Sequence, residues 1–196
     1  MNATASRPME TNTMNRLRVC LIAALVAVSA NTVATPANAA PPADPDHARL
    51  LAMSGAWDVE MTFWFRPGGP GVTTKGTSTI RPLFDGLFVE EKIEGSMGST
   101  PFTTLAWTGV NAATHQYEAT RIASTNSSRI AESGSYDEQK KQFELKADYV
   151  LAGDTWHQRT VIQPTSADTM LATSYLSFGK VPEWKAVEIK YARRAK

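Results

Sequence analysis

Residues 55–65 read Gly55-Ala56-Trp57-Asp58-Val59-Glu60-Met61-Thr62-Phe63-Trp64-Phe65. Trp57, Val59, Met61, Phe63 and Phe65 recur at every second position and are all large and apolar, while Asp58, Glu60 and Thr62 alternate with them. Side chains of a strand point alternately to opposite faces, so this period of two predicts a half-buried β-strand, interrupted on its polar side by Trp64.

The same pattern returns downstream between turn signals. Pro67-Gly68-Gly69-Pro70-Gly71 leads into a Thr-rich strand at 73–83, and Asp85-Gly86 is the signal of a type I′ hairpin turn that pairs 87–94 back onto it. A Gly/Ser loop at 95–101 carries Met97. Further strands are predicted at 102–108, 116–124, 129–136, 142–151, 156–163, 169–178 and 184–192. Upstream, Asp46 predicts the N-cap of a short helix through Leu50, Leu51 and Met53, with Gly55 closing it and 40–45 a Pro-rich linker. About ten evenly spaced short strands behind one helix predict a single all-β domain over 46–196. Hairpin following hairpin favours an antiparallel up-and-down barrel, whose closure also removes exposed sheet edges.

The first 39 residues stand apart. Arg16 and Arg18 precede an apolar run at 19–30, and small residues follow up to Ala37-Asn38-Ala39, the layout of a signal peptide cleaved after Ala39. The run is too short to span a bilayer, which takes roughly 20 residues. The 196-residue chain has a formal charge of +1; removing 1–39 leaves 157 residues, a charge of −1, and no cysteine, since Cys20 goes with the leader. The expected location is therefore the periplasm or the exterior, with no membrane span in the mature protein. The charge balance offers no footprint for nucleic acid, and stability has to come from the core.

The chain contains no P-loop, G-x-G-x-x-G or G-x-S-x-G motif. Its three histidines, His47, His115 and His157, lack metal-ligand spacing. No catalytic residue, metal or cofactor is assigned. Glu90 and Glu91 are adjacent on a strand and point to opposite faces, so they do not act as a pair; Glu91 shares its face with Leu87, Val89 and Ile93. Arg121 alternates in phase with Tyr117, Ala119 and Ala123, which places a charge on a face otherwise fit for burial, where it needs Glu91 or an anionic group as partner. His157 and Arg159 share one face of their strand; Trp156, Thr160 and Ile162 take the other, and only one set points inward.

Trp107, Tyr117, Arg121 and Glu91 are the candidates for lining an interior site for a small apolar or amphipathic ligand. The alternative is a barrel whose interior is filled by side chains, serving a structural or protein-interaction role in the cell envelope. Met97 is a candidate apolar lid or a buried anchor for its loop.

The short helix followed by Gly55-Ala56-Trp57 resembles the G-x-W opening of lipocalin-like (calycin) barrels. His47-Ala48-Arg49-Leu50-Leu51, Pro67-Gly68-Gly69, Asp85-Gly86-Leu87-Phe88-Val89-Glu90-Glu91, Gly95-Ser96-Met97-Gly98, Thr108-Gly109-Val110-Asn111, Gly134-Ser135-Tyr136-Asp137 and Glu188-Ile189-Lys190-Tyr191-Ala192-Arg193 resemble, in order, a bacterial family known as domain of unknown function 1579. Val110 and Arg121 stand where that pattern has aromatic residues. The resemblance implies the barrel fold and no established activity. It also implies that Trp57 plugs one end, with a cation of the last strand, Arg193, stacked on it.

Overall fold

The computed structural model describes residues 44–195. The expected signal peptide at 1–39 and residues 40–43 of the expected linker lie outside the described residues. Helix α1 spans Pro45–Ala52. It begins earlier than predicted: Asp44 is the N-cap, its carboxylate accepting the Asp46 amide at 3.0 Å. Pro45 occupies the first turn, where a fixed φ is pre-organised for a helix and a missing N–H is not needed.

Ten strands follow: β1 (Gly55–Phe63), β2 (Val72–Leu83), β3 (Phe88–Met97), β4 (Thr100–Asn111), β5 (Gln116–Ala123), β6 (Arg129–Asp137), β7 (Gln142–Leu151), β8 (Asp154–Pro164), β9 (Thr169–Phe178) and β10 (Val181–Arg193). Each pairs antiparallel with its sequence neighbours, and β10 returns to β1, so the sheet is a closed up-and-down barrel of the lipocalin-like kind. Trp57 stands opposite Arg193, and Phe63 opposite Val187. Asp85 and Gly86 have φ of 56° and 92°, and the Leu87 amide donates to the Phe84 carbonyl at 3.2 Å, the geometry of a type I′ turn. Among the described residues no helix is long and apolar enough to cross a membrane.

Two strand ends differ from the sequence reading. β1 stops at Phe63, and Phe65 is 63% exposed, stacked on Phe63 with ring centroids 6.4 Å apart. The Gly/Ser loop at 95–101 shrinks to a tight hairpin, because β3 runs on through Met97 and β4 starts at Thr100. Met97 packs partly buried against the core.

The helix end of the barrel is sealed. Leu50 of α1 and Met53, its C-cap, join Trp57, Ile80, Val89, Tyr117, Phe143, Met170 and Tyr191 in one buried cluster. Each such side chain contributes about 1.5–3 kcal/mol by leaving water. Arg193 binds this seal together: its guanidinium lies 4.0 Å over the Trp57 ring and donates to the carbonyls of Ser54 (2.6 Å), Ala52 (3.2 Å) and Ala167 (2.8 Å). Trp57 Nε1 donates to the Met53 carbonyl at 3.1 Å. A Cβ at residue 55 would collide with Arg193 Nη1, and φ there is +149°, so the glycine before the tryptophan is a steric requirement.

Candidate functional site

A barrel of about eight strands is just wide enough to be filled by side chains; ten strands enclose more room. In the middle of this one the inward positions are small: Ala106 and Thr108 on β4, Ala119 on β5, Thr160 on β8, Ala172 and Ser174 on β9. Width and small residues together leave a cavity in two chambers that share Arg121, Ser174, Val187 and Ile189. The inner chamber, about 50 Å³, lies above the Met53–Tyr191 seal and reaches Glu91. The outer chamber, about 180 Å³, is walled by Met61, Phe63, Ile93, Phe102, Leu176 and Val187. Phe63, Ala123 and Leu176 are only half-buried, at or near strand ends away from α1, so the outer chamber communicates with the open rim. Aromatic side chains furnish that rim: Trp156 stacks on Phe178 at 4.2 Å, and Trp184 meets both rings edge-on while its Nε1 donates to the Trp64 carbonyl at 3.1 Å.

A charged cluster lies where the chambers join. Glu132 on β6, its side chain wholly buried, accepts from Arg121 Nε and Nη2 through Oε2 (3.4 and 3.3 Å). Its Oε1 accepts from Gln158 Nε2 (3.0 Å) and Thr160 Oγ1 (2.7 Å). Across the cavity, Glu91 Oε1 accepts from Ser78 Oγ and Tyr191 Oη, both at 2.9 Å. Burial works against the Arg121 charge, but the Glu132 and Glu91 carboxylates outweigh it and hold its pKa above the ordinary value. Burial, and then the Glu91 charge, push the Tyr191 phenol well above its usual range, so it stays a donor. Tyr149 is raised for the same two reasons, burial and the Glu132 charge.

Arg121 and Glu91 both line the cavity. Tyr117 is inside the barrel but at the sealed end: its ring meets Phe143 edge-on at 4.9 Å and its hydroxyl donates to Asp46 Oδ1 at 3.1 Å. Burial, as the largest influence, pushes its pKa up to about 12. Trp107 does not line the cavity. Ala106 and Thr108 take the inward positions of β4, so Trp107 faces out, where its Nε1 donates to Glu90 Oε2 at 2.9 Å and Glu90 also pairs with Arg81. On β8 the inward set is Gln158, Thr160 and Ile162, with Trp156 at the rim; His157 pairs outside with Asp148 and Arg159 with Glu183.

Sequence reading misses Glu132, Gln158, Ser78 and Tyr191. The available signal for Glu132 is its phase with Ile130 and Tyr136, and the register that sets it opposite Ala119, one step along the face from Arg121. Oxygen and nitrogen atoms of Asp44, Asp46 and His115 come within 4.8 Å of one another at the start of α1. Those carboxylates already serve the Asp46 amide, His47, Arg49 and Tyr117.

Among solved structures the barrel matches the S-type phycobiliprotein lyase CPES from Guillardia theta, with a TM-score of 0.51 at 9% identity over 75% of this chain and 91% of that one. That likeness is one of fold. Two weaker matches, each at 10% identity and a TM-score of 0.43, are a redesigned β-barrel (75% and 96% covered) and EF1p2_mFAP2b bound to DFHBI (76% and 98% covered). No curated protein sequence matches the chain. The family model described as "Protein of unknown function (DUF1579)" matches residues 42–193, nearly all of the described barrel, and the chain belongs to that family.

Proposed function

We propose that the protein binds one small, partly apolar molecule inside its barrel, and that it works outside the cytoplasm after export. The observation that carries the binding reading is the two-chambered cavity: apolar walls around a few converging polar groups, sealed at one end and reached through the other. That combination is the usual make-up of a small-molecule site. Export is supported by the basic, apolar and small-residue segments of 1–39.

Titration of the purified protein with the apolar fluorophore N-phenyl-naphthylamine tests the binding reading. Saturable uptake of one molecule per barrel is expected, with loss of uptake in Ala123→Trp, which fills the outer chamber from its half-buried edge. Absence of saturable uptake, or uptake unchanged by Ala123→Trp, contradicts the proposal. Intact-mass measurement of the protein recovered from the periplasm or medium tests export, with residues 1–39 absent.

A further inference from the structure

We infer that the cavity selects a neutral head group presenting a hydrogen-bond donor beside an acceptor, such as a primary carboxamide, on an apolar body, in preference to a carboxylate. This rests on the ligand-binding reading above and specifies its chemistry.

Two valences of the cluster are open. Arg121 engages Glu132 through Nε and Nη2, and its Nη1 has no hydrogen-bond partner among the described residues. Glu91 receives both of its donors on Oε1, which leaves Oε2 without one. Neither atom is sealed from solvent among the described residues, and both side chains line the inner chamber. The Arg121 side chain retains 22% exposure inside an otherwise buried cluster, as a group facing a cavity would. The cavity therefore presents one unused donor where its chambers join and one unused acceptor in the inner chamber.

The formal charge of the cluster narrows what fits. One guanidinium faces two carboxylates, Glu91 and Glu132. A carboxylate ligand would bring a third negative group to a single cation already shared, and would set acceptor against acceptor at Glu91 Oε2. An ammonium would satisfy Glu91 and balance the formal charge, but it leaves Nη1 without an acceptor and turns a second donor group toward it. A tertiary amide has no N–H for Glu91. A primary amide gives its carbonyl to Arg121 and one N–H to Glu91, pairing both open atoms of the cluster, the condition that governs specificity in a desolvated site. The inner chamber of about 50 Å³ is head-group sized, and the outer chamber of about 180 Å³, walled by Phe63, Phe102 and Leu176, receives the apolar body.

Competition against the bound naphthylamine, with octanamide, N,N-dimethyloctanamide, octanoate and octylammonium at neutral pH, tests the inference. Octanamide is expected to displace the fluorophore at a concentration about tenfold or more below the other three. Any of the three matching octanamide, or no displacement by octanamide, overturns the head-group assignment while leaving the binding reading standing. Failure of the fluorophore itself to bind removes the binding reading, and this inference with it. Glu91→Gln retains an acceptor oxygen for Ser78 and Tyr191 and removes one carboxylate, so octanoate is expected to gain about tenfold in that variant. An unchanged octanoate affinity overturns the charge argument.

Discussion

Glu132 has every oxygen engaged: Arg121 on one, Gln158 and Thr160 on the other. Removing it strands the Arg121 guanidinium in the interior and takes an acceptor from Gln158 and Thr160, and breaking a buried charge pair from one side typically costs about 3–5 kcal/mol. Glu132→Ala should lose stability on that scale in urea unfolding, with Glu132→Gln losing less because it keeps one acceptor; a loss under about 1 kcal/mol in the alanine variant would refute the assignment. Arg121 was legible in the sequence because its neighbours in phase, Tyr117, Ala119 and Ala123, mark a buried face. Glu132 was not, because small residues occupy both faces of Arg129–Asp137 and blur the alternation. Trp107 misled for a related reason. At the level of the inner chamber the inward positions of β4 hold the small residues Ala106 and Thr108, so the bulk between them falls outside and size stops indicating the interior.

Helix α1 and strand β10, first and last in the described chain, are joined through Arg193. Its three donated hydrogen bonds include the carbonyls of Ala52 and Ser54 at the end of α1, and its stack on Trp57 fixes the start of β1. Arg193→Met keeps an apolar stem and removes the charge; it is expected to cost about 2–4 kcal/mol in thermal or chemical unfolding, from the lost cation–π contact and charged hydrogen bonds. A variant as stable as the parent would show the helix end to be held by apolar packing alone. At this scale the sequence was informative: ten strands and the Asp85-Gly86 turn follow from period and turn chemistry. Exact ends were less so. Asp44 and Asp46 are both capping residues by type, and Pro45 in the first turn decides between them.

For the molecule as a whole, the sealed end makes stability sensitive to alkali. Tyr117 is pushed up to about 12 in the fold against 10.0 as a free side chain, and Tyr191 is held well above its ordinary value, both chiefly by burial. The native state thus retains phenolic protons that the unfolded chain gives up. Their stabilising contribution is complete below pH 10 and is lost as pH rises toward and beyond 12. Denaturation midpoints are expected to be insensitive to these two groups below that window and to fall across it, with delayed tyrosinate absorbance as the direct readout. Midpoints that hold steady across the window would show the phenols to be reached by water. Ring closure carries a different consequence. Lys190 meets Glu60 across a separation of 130 positions, so the pairing of β10 with β1 is the most non-local event in the fold. A nascent chain that has not yet made β10 holds two unsatisfied edges and no complete seal around Trp57. The order of synthesis itself therefore delays closure of the barrel until β10 has been made.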